Sequence, residues 1–239
     1  MPSVRVLSLT HQADAPSGVF GEAATAAGHD LAEASFALGR PPQAGDYDAM
    51  LVFGGAMNVD EEDGNPWLGD EKRFLREVLG SRTPALGVCL GAQLLADAAG
   101  ARVARAAAPE IGWYEVELDA GAGGDPVLGP LPERFTACEW HSYEFALPHG
   151  ATALASSPGS LQAYRLGDRV YGIQFHAEVT ADTLAGWIER YEKDPDAVAM
   201  DLDTEGFAAE SRERIAEWNA LGRGICSRFL ETAERLTRA

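Results

Sequence analysis

Apolar and polar positions fall into short blocks along the first half of this chain. Residues 4–9 (Val-Arg-Val-Leu-Ser-Leu) read as a buried strand. A polar loop over 10–14 follows, then a helix over 18–28 and a second strand over 29–36. Pro41, Pro42 and Gly45 punctuate a loop. Residues 47–53 (Tyr-Asp-Ala-Met-Leu-Val-Phe) form a third apolar run, and 67–79 place Trp67, Leu68, Phe74, Leu75, Val78 and Leu79 near helical spacing. The short run Pro84-Ala85-Leu86 leads into Gly87-Val88-Cys89-Leu90-Gly91-Ala92-Gln93, and an alanine-rich helix follows over 93–99. Strands separated by helices predict βαβ units and a parallel sheet, whose sites form beyond the carboxyl ends of its strands.

After Gly100 the texture changes. Residues 113–118 alternate as a half-buried strand, and 135–145, 151–155, 161–166 and 169–176 are further strands joined by short turns. This half is expected to add antiparallel strands beside the last central ones. Residues 180–191 read as a helix capped by Thr180, with Asp182 in the first turn. In the tail, Lys193-Asp194-Pro195-Asp196 breaks that helix, and two amphipathic helices are expected over 205–221 and 224–237, split by Gly222-Arg223-Gly224. Their inward residues would be Ile215, Trp218, Leu221, Ile225, Phe229 and Leu236. The chain thus divides into a domain over 1–193 and a helical extension over 194–239 packed on it, rather than a surface reserved for a partner. The expected fold class is α/β, an open, mostly parallel central sheet flanked by helices, with an added C-terminal helical segment.

Composition narrows the function. The 239 residues are 46% hydrophobic, enough for a full core, and the formal net charge is -18, which argues against a nucleic-acid surface. Cys89, Cys138 and Cys226 are far apart and odd in number, so neither a zinc knuckle nor a disulfide framework is indicated. No apolar stretch approaches a membrane span, and the first residues lead straight into a strand pattern. A soluble cytoplasmic protein is expected.

The chemistry gathers at strand ends. Cys89, with glycine two positions away on either side, matches a nucleophile elbow with cysteine in place of serine. The start of the following helix favours a thiolate over a thiol. The alternative is a small buried hydrophobe. Gly54-Gly55, directly after the third strand, can bring backbone N–H groups close to a ligand or simply make a tight turn. Asp60-Glu61-Glu62-Asp63 reads as a solvated loop rather than a metal site. Among His11, His29, His141, His149 and His176, only His176 stands at a strand end with a carboxylate, Glu178, two residues on. That pairing would fix a tautomer and stabilise an imidazolium, and with an elbow cysteine it makes a nucleophile and its base.

With both motifs in view, the chain resembles a class I (triad) glutamine amidotransferase domain, and among these the stand-alone relatives of the glutaminase half of GMP synthase. The resemblance runs over residues 4–187 and rests on Phe53-Gly54-Gly55-Ala56-Met57 with Pro66-Trp67-Leu68, on 87–93 and on 172–178. It implies a flavodoxin-like amidotransferase fold, with Cys89 as nucleophile, His176 as base and Glu178 as orienting acid. It further implies an oxyanion hole from backbone N–H groups at Gly55 and Leu90. Gly54, Ala56, Gln93, His141, Ser142 and Tyr143 would surround a glutamine or γ-glutamyl substrate. No metal or cofactor is implied. Ala56 stands where relatives often have proline, and Ser142-Tyr143-Glu144 departs from the Gly-Asp type of closer relatives, which leaves fine specificity open. No ATP pyrophosphatase loop follows, so the implied partner is a separate synthase subunit that accepts the ammonia. A self-sufficient γ-glutamyl amide or peptide hydrolase is the alternative, and a non-catalytic binding module on the same fold is a third reading.

Overall fold

The computed structural model describes residues 3–42 and 47–237, so Gly45 of the expected loop lies outside them. The first half builds β1 (Arg5–Leu9), α1 (Gly18–Ala26), β2 (Asp30–Ala34), β3 (Ala49–Val52), α2 (Trp67–Gly80), β4 (Ala85–Val88) and α3 (Leu90–Ala98). The second builds β5 (Val103–Leu118), β6 (Arg134–Phe145), β7 (Ala151–Ser156), β8 (Leu161–Leu166), β9 (Val170–Ile173), α4 (Ala181–Glu189), α5 (Pro195–Ala199) and α6 (Thr204–Thr237). The strands form one mixed nine-stranded sheet among the described residues, in the order β2-β1-β3-β4-β9-β8-β7-β5-β6. The pairings from β2 to β9 are parallel and those from β9 to β6 are antiparallel.

The alternation of side chains along a strand explains the layers. Val6, Leu51, Leu86 and Val88 enter the core that holds α1 and α6. Their neighbours Leu7, Met50, Val52 and Ala85 enter the opposite core, under α2 and α3. Every residue of β3, β4 and β9 is buried, so these central strands read as unbroken apolar runs.

Two elements differ from the sequence expectation. β5 begins at Val103 rather than near 113 and pairs with β6 along its length, with a register shift between Arg105 and Glu110. Such a bulge breaks strict alternation, and the stretch before it, Ala104-Arg105-Ala106-Ala107-Ala108-Pro109, carries little apolar signal. In the tail, after the short α5, one 34-residue helix replaces the two expected over 205–221 and 224–237, and Gly222 lies in its middle. Gly222 is no breaker here. α6 crosses the loop after β9 so closely that a Cβ at Gly222 would sit 2.0 Å from the Ala177 carbonyl oxygen.

This crossing positions the loop. The carbonyls around Ala177 are all engaged: His176 accepts from Trp218 Nε1 (2.8 Å), Glu178 from the Val19 N–H (2.8 Å) and Val179 from Asn219 Nδ2 (2.6 Å). Trp218 is in turn packed edge-on against Phe175 and Trp113 and stacked on Phe135.

An exposed helical glycine normally gains about 0.5–1 kcal/mol on replacement by alanine. Gly222→Ala is expected to reverse that sign and cost about 1–3 kcal/mol, because the methyl group meets backbone rather than a movable side chain. Gly224→Ala, whose Cβ meets only the end of Arg228 at 3.0 Å, is expected to be neutral or stabilising. Thermal or urea melts of the two variants check the contrast.

Candidate active site

Cys89 is the hinge between β4 and α3. Its backbone stands at φ 51°, ψ -113°, one of only two non-glycine residues with positive φ among the described residues. Such a conformation costs on the order of 1–3 kcal/mol and persists only where its surroundings enforce it. They do so here. The Cys89 N–H donates to the Ile173 carbonyl (2.9 Å), continuing the β4–β9 ladder, and its own carbonyl accepts from the Gln93 N–H (3.0 Å), opening α3. A Cβ at Gly87 would lie 2.6 Å from the Ala92 nitrogen, and one at Gly91 would lie 2.1 Å from the Val52 carbonyl oxygen. Both glycines are therefore required for the helix to start this close to the sheet.

Across the sheet edge, Gly54 lies between the cysteine and the histidine. A Cβ there would be 3.0 Å from His176 Cε1 and 3.6 Å from Cys89 Cβ. His176 lies just past the end of β9, where its N–H donates to the Cys138 carbonyl (2.8 Å), and its Nδ1 is 2.8 Å from Glu178 Oε1. Cys89 Sγ is 3.9 Å from the Trp140 carbonyl oxygen. The Trp187 ring meets His176 edge-on, centroids 4.8 Å apart. Burial alone would lower the His176 pKa, but the charges of Glu178 and Cys89 outweigh it and raise it well above 6.5. Nε2 is the ring nitrogen not engaged by Glu178.

The remaining expected residues divide by role in the structure. The Gly55 N–H meets no protein acceptor among the described residues, and the Leu90 N–H heads α3, where helix donors lack intrahelical partners. The Ala56 N–H is engaged by Gln12 Oε1 at 2.8 Å. Buried Gln93 donates from Nε2 to the Tyr143 carbonyl and to Gln174 Oε1, each at 3.1 Å, so it ties α3 to the segment that follows His141 in β6. Tyr143 reaches out to Asp60 (3.3 Å), a member of the acidic run, and Arg105, with Ser142, holds the Asp196 carboxyl below its usual pKa.

The His141 ring does not face open space. Nδ1 donates to the Tyr143 carbonyl (3.0 Å), and Nε2 lies 3.0 Å from Glu110 and 3.4 Å from Glu139. Burial opposes its charge, but these carboxylates outweigh burial and raise its pKa to about 10. Glu110 is further held by Ser157, Ser160 and Gln162. Sequence reading missed this network, as it missed a second buried His–Glu pair, His11 with Glu71 (2.8 Å). Glu110 lies 31 residues from His141, and Glu71 lies 60 from His11, so no short motif could have signalled those two partners, whereas Glu139, two residues before His141, was within motif range. Among the described residues no group of three or more His, Cys, Asp or Glu is arranged to hold a metal ion, and no helix is long and apolar enough to cross a membrane.

Known proteins share this architecture. A family model described as glutamine amidotransferase class-I matches residues 30–188. The chain is 28% identical over 197 residues to the glutamine amidotransferase-like protein YfeJ of Salmonella typhimurium, covering 80% of this chain and 82% of that one. It is 35% identical over 137 residues to a glutamine-hydrolyzing GMP synthase subunit of Sulfurisphaera tokodaii, covering 56% of this chain and 69% of that one. The crystal structure of a glutamine amidotransferase from Thermotoga maritima superposes with a TM-score of 0.86 at 28% identity, covering 97% of this chain and all of that one.

The raised His176 pKa has a definite consequence. The His176–Glu178 pair stabilises the fold fully below the ordinary histidine value of 6.5 and loses that contribution as pH rises through the raised folded value. In a ring-proton NMR titration, His176 is expected to stay protonated above pH 6.5, and Glu178→Gln to lower its midpoint.

Proposed function

We propose that this chain, which belongs to the class I glutamine amidotransferase family, hydrolyses the γ-carboxamide of glutamine through a γ-glutamyl thioester on Cys89 and passes the ammonia to an acceptor enzyme on another chain. The observation that carries this reading is the juxtaposition across Gly54. A cysteine on an enforced turn stands on one side, and a histidine held by a carboxylate at 2.8 Å stands on the other.

In this reading the Cys89 thiolate attacks the amide carbon, forming an S–C bond and an oxyanion. The Gly55 and Leu90 N–H groups stabilise that oxyanion, because donors fixed in advance act where charge develops. His176 Nε2–H gives its proton to the leaving nitrogen as the C–N bond breaks, and ammonia departs. Water then gives a proton back to His176 and attacks the thioester. The C–S bond breaks, releasing glutamate and restoring the thiolate. Glu178 keeps the ring oriented and stabilises its positive charge. Gln93 and the segment His141-Ser142-Tyr143 frame the substrate, and residues 194–239 serve as an extension bracing the catalytic loop through α6.

A separate acceptor is supported by the likeness to the Sulfurisphaera tokodaii protein, which by its name is one glutamine-hydrolyzing subunit of a GMP synthase. A second reading, a self-sufficient γ-glutamyl amide hydrolase, is favoured by the rim. Asp194 accepts from Trp140 Nε1 (2.8 Å) and Asp196 pairs with Arg105, so the chain's own residues finish the mouth of the site.

The purified chain, incubated with glutamine and with a panel of γ-glutamyl amides, is expected to release glutamate. Cys89→Ala is expected to lower that rate by on the order of 10⁴-fold or more. Turnover of γ-glutamyl amides in preference to glutamine selects the second reading. Silence on every substrate, with Cys89 still labelled by diazo-oxo-norleucine, selects the partner-dependent one. Full activity in Cys89→Ala refutes both.

A further inference from the structure

We infer that His11 and Glu71, with Gln12 beside them, are positioning residues that lock the Gly54–Gly55 and Gly55–Ala56 peptides so that the Gly55 N–H faces the reacting carbonyl oxygen. The inference rests on the proposed function and adds to it a device for its oxyanion hole.

The need for a lock follows from the sequence. Two successive glycines lack the steric restraint that holds a peptide plane in one orientation. A flip of the Gly54–Gly55 peptide would leave the Cα positions nearly unchanged while reversing the N–H. In a trans peptide the carbonyl and the following N–H point in opposite directions. Whatever holds the Gly54 carbonyl therefore also aims the Gly55 N–H.

His11 holds it. β1 and β3 are parallel neighbours, so the residues beyond their ends meet, and His11 Nδ1 lies 3.1 Å from the Gly54 carbonyl oxygen. The far nitrogen, Nε2, lies 2.8 Å from Glu71 Oε1. The Gly54 carbonyl can only accept, so Nδ1 donates to it, and Glu71 beside Nε2 favours the imidazolium form of the ring. Its pKa is accordingly raised: burial works against the charge, and Glu71 and the Gly54 carbonyl outweigh it. The Trp67 ring stacks on the imidazole at 5.5 Å, and a Cβ at Gly55 would come within 3.1 Å of His11 Cβ. On the next peptide the Ala56 N–H donates to Gln12 Oε1 at 2.8 Å. Two consecutive residues after β1 thus clamp the units on both sides of Gly55, whose own N–H has no protein partner among the described residues.

Folding alone does not account for the pair. His11 and Glu71 are 3% and 0% exposed. A buried ion pair of this kind is often neutral or worse for stability than apolar residues of the same volume. It is explained by what it points at.

The test separates the two ring nitrogens. Asn places its amide nitrogen where His11 Nδ1 stands and keeps the bond to Gly54, whereas Gln reaches the Nε2 position and keeps only Glu71. With glutamine or γ-glutamyl p-nitroanilide, His11→Gln is expected to lower kcat by about 10-fold or more with KM within about 2-fold, since an oxyanion donor acts mainly in the transition state. His11→Asn is expected to recover most of that loss. Alkylation of Cys89 by iodoacetamide, a displacement that develops no oxyanion, is expected to keep its wild-type rate in both. If turnover requires a partner, the rate of labelling by diazo-oxo-norleucine, whose ketone takes the place of the amide carbonyl, replaces kcat in the comparison. Wild-type kcat in His11→Gln overturns the inference. So does a parallel fall in kcat, alkylation rate and melting temperature, which would mark a merely structural role. Should His11→Gln fail to fold, Gln12→Ala, at a half-buried position, is expected to lower kcat in the same selective way, and its wild-type kcat would then overturn the inference. The absence of both turnover and labelling in the wild type overturns the proposed function itself, and this inference with it.

Discussion

The left-handed backbone at Cys89 is the constraint on which the rest of the site depends. A side chain at φ 51° is unfavourable in isolation, so the turn exists only because its neighbours leave no alternative. β4 is central, paired with β3 on one side and β9 on the other, which fixes the direction from which the chain arrives. Gly87 and Gly91 allow α3 to start against the carbonyl ends of β3 and β4, where any side chain would collide with backbone. The sulfur is thereby delivered to the start of a helix and to the edge where Gly54 and His176 also arrive. The strain is local, and the packing that offsets it is spread over the whole parallel half of the sheet.

Around that turn the protein buries charge in pairs. His176 with Glu178, His141 with Glu110 and Glu139, and His11 with Glu71 all lie within the interior, and in each the carboxylate holds the ring charged against the cost of burial. Glu139 shows the limit of this balance: burial outweighs His141 and raises the Glu139 pKa. A chain with formal net charge -18 thus gathers buried histidines with raised pKa values around the end of β4 and β9.

The C-terminal helix joins the site to the rest of the molecule without supplying a side chain to the chemistry. Its Trp218, Gly222 and Asn219 meet the carbonyls of His176, Ala177 and Val179, and the start of α1 takes that of Glu178. With its backbone acceptors held from behind, the loop has little freedom left, and the side chains of His176 and Glu178 inherit that rigidity. A long helix is suited to this, because residues one turn apart present a straight row of contacts at fixed spacing.

Much was legible in the sequence because much is local. The central strands are short apolar runs bounded by turn residues, and β3, β4, β8 and α2 fall where periodicity places them. The elbow and the His-x-Glu pair are encoded within a few residues, since a sharp turn needs its glycines beside it and a carboxylate two positions on can reach the same ring. What only the tertiary structure decided involves partners distant along the chain. The glycines at 222 and 224 look like a break until the Ala177 carbonyl is seen beneath the helix. The early part of β5 is a strand because β6 pairs with it across a bulge. His11 reads as one polar residue in a loop, and it becomes the clamp on Gly54 only because β1 and β3 end side by side and α2 turns Glu71 inward. Short-range backbone geometry is written in neighbouring residues, whereas the pairing of buried charges is set by which strand ends the fold brings together.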